Sequence, residues 1–230
     1  PHMAFIGAGN QCLLSSYGRS AWGTPMVIPG CAGPIAPTLA VLDDALQVGF
    51  VGNQGGCFLN TFDSYGWGQP YALSGCGGTF APALASYRGA LNVVYGGLGG
   101  GLLHATCGGL GFGGGCGTGV LIPGVNTVLA PALGVYGNQL ALAYTGLNRG
   151  LGYTTLGGWG GWRSPIGIRG AYSSFGPTLG FAGGRMFLGY PTLDRRFGLA
   201  GFAGSGWGNF GYLRTPFLGS RFGIGGLGSG

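Results

Sequence analysis

A chain of 230 residues with 46% hydrophobic content has the apolar material for a substantial core, so a disordered chain is excluded. Its 58 glycines follow no G-X-Y period and alternate with Trp, Phe and Tyr, which excludes collagen and a flexible linker. Ten Arg against four Asp give a net charge of +6 with no Lys, no Glu and no basic run, so nucleic acid is not an expected partner.

Pro1 to Met3 read as a remnant of protease cleavage and cloning, outside the functional argument. With no secretory signal and no apolar run of about 18 residues, a soluble chain without a membrane span is expected. The stretch "AFIGAGNQCLLSSYGRSAW" (4 to 22) aligns with "GFVGNQGGCFLNTFDSYGW" (49 to 67), so the chain begins partway through a repeated unit. The next stretch, "APTLAVLDDALQVGF" (36 to 50), returns at 81 to 95, 130 to 144 and 176 to 190.

Each copy reads as two strands with alternating bulky apolar residues. The turns between them are Asp43-Asp44, Arg88-Gly89, Gly137-Asn138 and Gly183-Gly184, mostly types that tolerate hairpin dihedrals. A third strand follows ("CLLSSY", "CFLNTF", "LLHATC", "GYTTL", "FGLAGF"), and a fourth carries a marker aromatic. The markers Trp22, Trp67, Phe112, Trp162 and Trp207 are separated by 45, 45, 50 and 45 residues, with "GGCG" inserted after Phe112. The missing first strand reappears as "TPFLG" (215 to 219), and a ring closed by strands from both termini removes open sheet edges. The expected fold is therefore all-β: a single five-bladed β-propeller over 4–230, with four antiparallel strands per blade.

The unit W-G-x-P-x-x-I-P-G, then A-P-[AT]-L-A-V, a two-residue turn, L-x-V-x-[FY]-x-G and L-x-x-T-x-x-x-x-G-W, resembles the blade repeat of bacterial β-propeller lectins of the Photorhabdus lectin type. The resemblance runs from Ala4 to about Gly219. It implies a lectin with several equivalent sites for fucose or related sugars, although the family pattern has seven blades where this chain has five.

A sugar site needs an apolar platform for the C–H face of the ring and a few fixed polar groups for its hydroxyls. Trp22, Trp67, Trp162 and Trp207 are the candidate platforms, against the plainer reading that a recurrent aromatic packs one blade on the next. Candidate polar partners are Tyr17, Asn60, Thr61, Thr154 and Thr155 on third strands. Others are Asn10, Gln11, Asn53, Gln54, Asn148, Arg149, Asp194 and Arg195 in the loops before them, where turn chemistry alone explains Asn and Asp. Glycoside hydrolysis usually needs paired carboxylates, and the scattered Asp43, Asp44, Asp63 and Asp194 offer none, so no enzyme is expected.

Six cysteines, with Cys12 equivalent to Cys57 and Cys31 to Cys76, read either as disulfides of a secreted protein or as small apolar strand residues. Among 15 possible pairings the sequence does not choose. His104, Cys107 and Cys116 lack a fourth ligand for zinc, and "GLGFGG" (109 to 114) leads into a strand rather than a helix, so neither a metal nor a dinucleotide cofactor is expected. The leading reading is a non-catalytic glycan-binding protein; the alternative is a structural or designed propeller without a ligand, and a glycosidase comes third.

Overall fold

The structure, a computed structural model, describes residues 1–108, 115–158, 160–194, 196–204 and 206–213. The chain divides into two compact units, Pro1–Leu121 and Ile122–Gly230. No helix among the described residues is long and apolar enough to cross a membrane.

The first unit opens with β1 (His2–Ile6), β2 (Gln11–Ser16) and β3 (Met26–Ala32) as a three-stranded antiparallel sheet, so His2 and Met3 pair within a strand. The second sheet holds β4 (Thr38–Leu42), β5 (Ala45–Val51), β6 (Cys57–Asp63) and the short β7 (Gly66–Trp67), with β8 (Tyr71–Leu73) also paired to β6. The third runs β9 (Ala83–Tyr87), β10 (Ala90–Gly96), β11 (Gly101–Cys107), β12 (Val120–Asn126), and the division between units falls inside β12. In the second unit β13 (Ala132–Tyr136), β14 (Gln139–Thr145), β15 (Gly150–Leu156) and β16 (Ile166–Tyr172) form one sheet. The last sheet is β17 (Thr178–Ala182), β18 (Arg185–Pro191), β19 (Phe197–Phe202) and β20 (Trp207–Leu213).

These are the five all-β repeats expected from the sequence. "TPFLG" at 215–219 lies outside the described residues, so the strand assigned to ring closure is not among those described.

Cores form where consecutive sheets of one unit face each other. Cys12, Leu14 and Ile28 pack with Val48 and Phe50; Leu59 and Leu73 pack with Leu91, Val93 and Tyr95; Ala141 and Ile168 pack with Met186, Leu188 and Tyr190. Strands β5, β10 and β14 are buried on both faces, as strands sandwiched between layers must be. Strands β3, β12 and β16 instead bury every third residue, because Gly30, Gly124 and Gly170 take φ of 73°, 71° and 80° and interrupt the alternation.

Three of the hairpin turns between first and second strands place both central residues at positive φ: Asp43 and Asp44 at 49° and 60°, Arg88 and Gly89 at 53° and 70°, Gly183 and Gly184 at 55° and 68°; in the fourth only Gly137, at 57°, does so. Positive φ at both positions is the type I′ geometry, which Asn-Gly adopts most readily and an Asp-Asp pair strains. Asp43→Asn with Asp44→Gly is expected to stabilise the chain by about 1 kcal/mol, read as a rise in thermal midpoint of a few degrees.

All six cysteines are paired, as Cys12–Cys31, Cys57–Cys76 and Cys107–Cys116. The first two bonds are the same bond in consecutive repeats; the third corrects the repeat alignment. Tyr17 pairs across its hairpin with Trp22, Phe62 with Trp67, Leu156 with Trp162 and Phe202 with Trp207, and the equivalent pair in the third sheet is Cys107 with Cys116. The marker position is therefore held by Cys116, and the extra residues precede it rather than follow it. Phe112 lies outside the described residues.

Candidate functional site

A cleft of about 200 Å³ lies within the second unit, lined by Gly170 and Tyr172 of β16, Tyr190 of β18, Tyr212 of β20 and Thr192, Leu193, Asp194 and Arg196 of the β18–β19 loop. Its walls are joined by Ser173, whose buried hydroxyl donates to the Pro191 carbonyl at 2.6 Å and accepts the Phe175 N–H at 3.0 Å. This bond ties the end of β16 to the end of β18. Tyr190 forms the buried side at 1% exposure, and it fits because residue 198, its partner across the ladder, is glycine. A Cβ on Gly198 would stand 2.5 Å from the Tyr190 ring.

The loop itself is closed on Thr192. Its backbone N–H donates to the Arg196 carbonyl at 2.8 Å, its hydroxyl accepts the Arg196 N–H at 2.9 Å, and the same hydroxyl donates to the Asp194 carboxylate. The Arg196 guanidinium reaches Asp194 Oδ2 through Nε at 2.7 Å and through Nη2, while lying 4.8 Å over the Tyr212 ring. Hydrogen bonds from Arg196, then from Thr192, hold the Asp194 carboxyl down to about 2. Burial, followed by the neighbouring Tyr212, pushes the Tyr190 hydroxyl up, so it stays a protonated donor at neutral pH. The cleft thus offers aromatic faces, a neutral phenol and an ionised acid–base pair. It supplies donors, acceptors and platforms, and no second carboxylate.

The residues picked from the sequence are distributed differently. Tyr17 and Trp22 are 41% and 48% exposed and meet edge to face at 5.5 Å, which leaves this one pair open to a ligand. Trp67 lies half-buried on Phe62 at 4.9 Å, and Trp207 packs against Tyr153 at 5.4 Å and Phe202 at 5.3 Å. Trp162 is half-buried, paired across its hairpin with Leu156. Asn60 is 1% exposed, with its amide spent on the Pro29 carbonyl at 3.5 Å and the Thr61 N–H at 2.8 Å. Asn148 accepts the Gly150 N–H at 3.1 Å as an Asx turn, and Arg149 sits at φ 66° in the same loop. None of these eight residues lines the cleft.

Of the cleft, Asp194 alone was singled out in the sequence; the other seven lining residues, Gly170, Tyr172, Tyr190, Thr192, Leu193, Arg196 and Tyr212, were missed. A signal existed. The five loops between second and third strands read "GAGNQ", "GNQGG", "GLGGG", "GLNRG" and "TLDRR", and only the last joins an acid to bases.

His104 occupies the strand position of Leu14 and Leu59, with Nε2 3.0 Å from Asn92 Oδ1. Because Asn92 Nδ2 donates to the Tyr87 and Ala90 carbonyls, its oxygen faces the imidazole and Nε2 carries the proton. Burial lowers the His104 pKa, so the fold prefers the neutral ring. The unfolded chain then takes up a proton first as pH falls through about 6.5, and stability drops below that pH. Urea midpoints are expected to fall between pH 7 and pH 5 in the parent chain and to stay flatter in His104→Leu. Its neighbours Cys107 and Cys116 are bonded to each other, and no metal cluster occurs among the described residues.

No family model matches the chain, and no curated protein matches it. Solved structures do. The chain superposes on the BP39L lectin of Burkholderia pseudomallei with a TM-score of 0.73 at 17% identity, covering 91% of this chain and 65% of that one. It superposes on the SapL1 lectin, solved with α-methyl fucoside, with a TM-score of 0.67 at 16% identity over 96% of this chain and 80% of that one. A third match, to the six-bladed β-propeller lectin of Aleuria aurantia, described with a fucose recognition mode, has a TM-score of 0.69 at 11% identity over 91% and 72%. At these identities the likeness defines the fold, a β-propeller of antiparallel sheets.

Proposed function

We propose that this chain is a non-catalytic carbohydrate-binding protein whose principal site is the cleft between Tyr172 and Tyr212. The carrying observation is the Arg196–Asp194 pair fixed over the Tyr212 ring beside Tyr172 and Leu193, polar groups set into an apolar and aromatic wall. Sugars need that combination: C–H faces stack on rings while hydroxyls meet paired donors and acceptors. The shared fold with lectins supports the reading, and monosaccharides of the fucose type are the first ligands to test.

Catalysis finds no parts in this cleft. Asp194 is its one carboxylate, and a group held at about 2 is ionised and cannot protonate a leaving group. The sites proposed from the repeat are unequal, because the positions of Asp194 and Arg196 are Asn148 and Gly150 in the preceding repeat and Gly99 and Gly101 in the one before. Five blades closed into a ring by 215–219 remain the architecture we propose, and three disulfides support an extracellular setting.

Calorimetric titration with α-methyl fucoside and a panel of neutral monosaccharides tests this. A saturable heat with a stoichiometry of about one, and a ligand-dependent rise in thermal midpoint, is expected. No heat and no shift across the panel would favour the ligand-free scaffold, a reading that the packed Trp67 and Trp207 also suit.

A further inference from the structure

The two units differ sharply in charge. Pro1–Leu121 carries Arg19 and Arg88 against Asp43, Asp44 and Asp63, a net charge of −1. Ile122–Gly230 carries eight Arg against Asp194, a net charge of +7. That asymmetry is hidden in the overall charge of +6, and it falls on the unit that contains the cleft.

We infer that the cleft is the anchor of a binding surface for acidic glycans, polymers carrying carboxylate or sulfate groups, an inference that rests on the carbohydrate-binding reading above. Inside the cleft Arg196 is balanced by Asp194, so the sugar bound there meets a neutral pair. Around it the balance is lost. Arg169 is exposed and immediately precedes Gly170 in the cleft wall. Exposed Arg149 has its carbonyl bonded to the Ser173 N–H at 2.9 Å, the residue after Tyr172, and its neighbour Gly150 pairs with Tyr172. The Arg196–Asp194 pair is the one ion pair among the described residues, so neither Arg149 nor Arg169 has a carboxylate partner there.

A glycan extending from the cleft along the end of β16 therefore runs past uncompensated guanidinium groups. Guanidinium pairs bidentately with carboxylate and sulfate alike, so both kinds of acidic sugar share this chemistry. Nucleic acid is the poorer fit. Asp194 stays ionised and accepts hydrogen bonds from ligand hydroxyls, which sugars supply in number and a phosphodiester backbone lacks.

Topology supplies an internal control. Arg149 and Arg196 lie in the loops joining second to third strands, while Arg185 begins β18 beside the 183–184 turn and Arg163 follows the β15–β16 turn, at the opposite ends of the same sheets. Arg149→Gln/Arg169→Gln removes charge beside the cleft, from its end loop and from the middle of β16, and Arg163→Gln/Arg185→Gln removes equal charge from the far ends.

Biolayer interferometry of the full chain on polygalacturonate, chondroitin sulfate, neutral dextran, neutral fucosyl polymer and poly(dT) reads the inference directly. At 50 mM salt at least one acidic glycan is expected to bind at least tenfold tighter than the neutral polymers, with the gap narrowing at 300 mM as screening grows. The cleft-end pair of substitutions should cut that preference at least fivefold, and the opposite pair should leave it. Which acidic polymer binds assigns carboxylate or sulfate. Neutral binding without an acidic preference overturns the inference and spares the lectin reading; loss of preference in both double variants, or poly(dT) binding as tightly, also overturns it. Absence of binding to every glycan overturns both.

Discussion

Tyr212→Ala is expected to weaken sugar binding at the cleft at least tenfold, a loss of about 1.4 kcal/mol, while leaving the thermal midpoint within a degree or two of the parent chain. Tyr212 is 49% exposed, so its truncation opens little core, yet its ring carries the Arg196 guanidinium at 4.8 Å. Losing the ring removes a stacking face and leaves the guanidinium fixed by Asp194 alone. Arg196→Lys should fail as a rescue for Arg196→Ala, since a single ammonium cannot make the forked contact through Nε and Nη2. Trp207→Ala supplies the contrast. Its ring is packed on Tyr153 and Phe202, so truncation should lower stability by about 2–4 kcal/mol and leave the affinity of the surviving fold unchanged. If Tyr212→Ala binds like the parent and Trp207→Ala does not, the marker tryptophans rather than the cleft hold the sugar. Calorimetry at one temperature, with melting curves on the same samples, separates the two.

The contrast also marks how far the sequence could be read. Strands such as "LQVGF" and "LNVVY" were legible because burial between layers demands apolar side chains on both faces, and turns such as Arg88-Gly89 were legible because positive φ selects few residues. Both constraints act locally and repeat every blade. The cleft is different in kind: it joins Gly170 and Tyr172 to a loop 20 residues later and to Tyr212 beyond it, and its polar pair occurs in one repeat only. A search for recurrence selects residues that pack, which is why it returned Trp67, Trp207 and Asn60, and it passes over a lone "TLDRR". The misplaced marker has the same origin. Phe112 matched the spacing of 45, but the cross-hairpin pair is a matter of register, and only register reveals that a Cys107–Cys116 disulfide stands where other repeats set an aromatic against an aromatic or a leucine.

Reduction of the disulfides should therefore split the unfolding of this chain. All three bonds lie in Pro1–Leu121 and none in Ile122–Gly230, so a reductant acts on one unit alone. Cys12–Cys31 and Cys57–Cys76 each span 19 residues, and closing a loop of that size removes unfolded-state entropy worth about 3 kcal/mol. Against a total stability of about 5–15 kcal/mol, losing both is enough to unfold the first unit near room temperature. A calorimetric scan is expected to show the first unit's transition falling steeply in reductant, with the transition of Ile122–Gly230 and sugar binding at its cleft retained. Cys107–Cys116 permits a finer test, since the repeat itself names its substitute. Cys107→Ala/Cys116→Ala should lose about 2–4 kcal/mol, and Cys107→Phe/Cys116→Trp, which rebuilds the Phe62–Trp67 arrangement, should recover about 0.5–1.5 kcal/mol of it. A reduced chain that melts in one unshifted transition would mean that these bonds constrain nothing the strands do not already fix. If the Phe–Trp variant is no better than the alanine variant, a pair nine positions apart, where Phe62 and Trp67 are five apart, cannot be held in register by aromatic packing, and the disulfide is the device that lets this repeat carry its insertion.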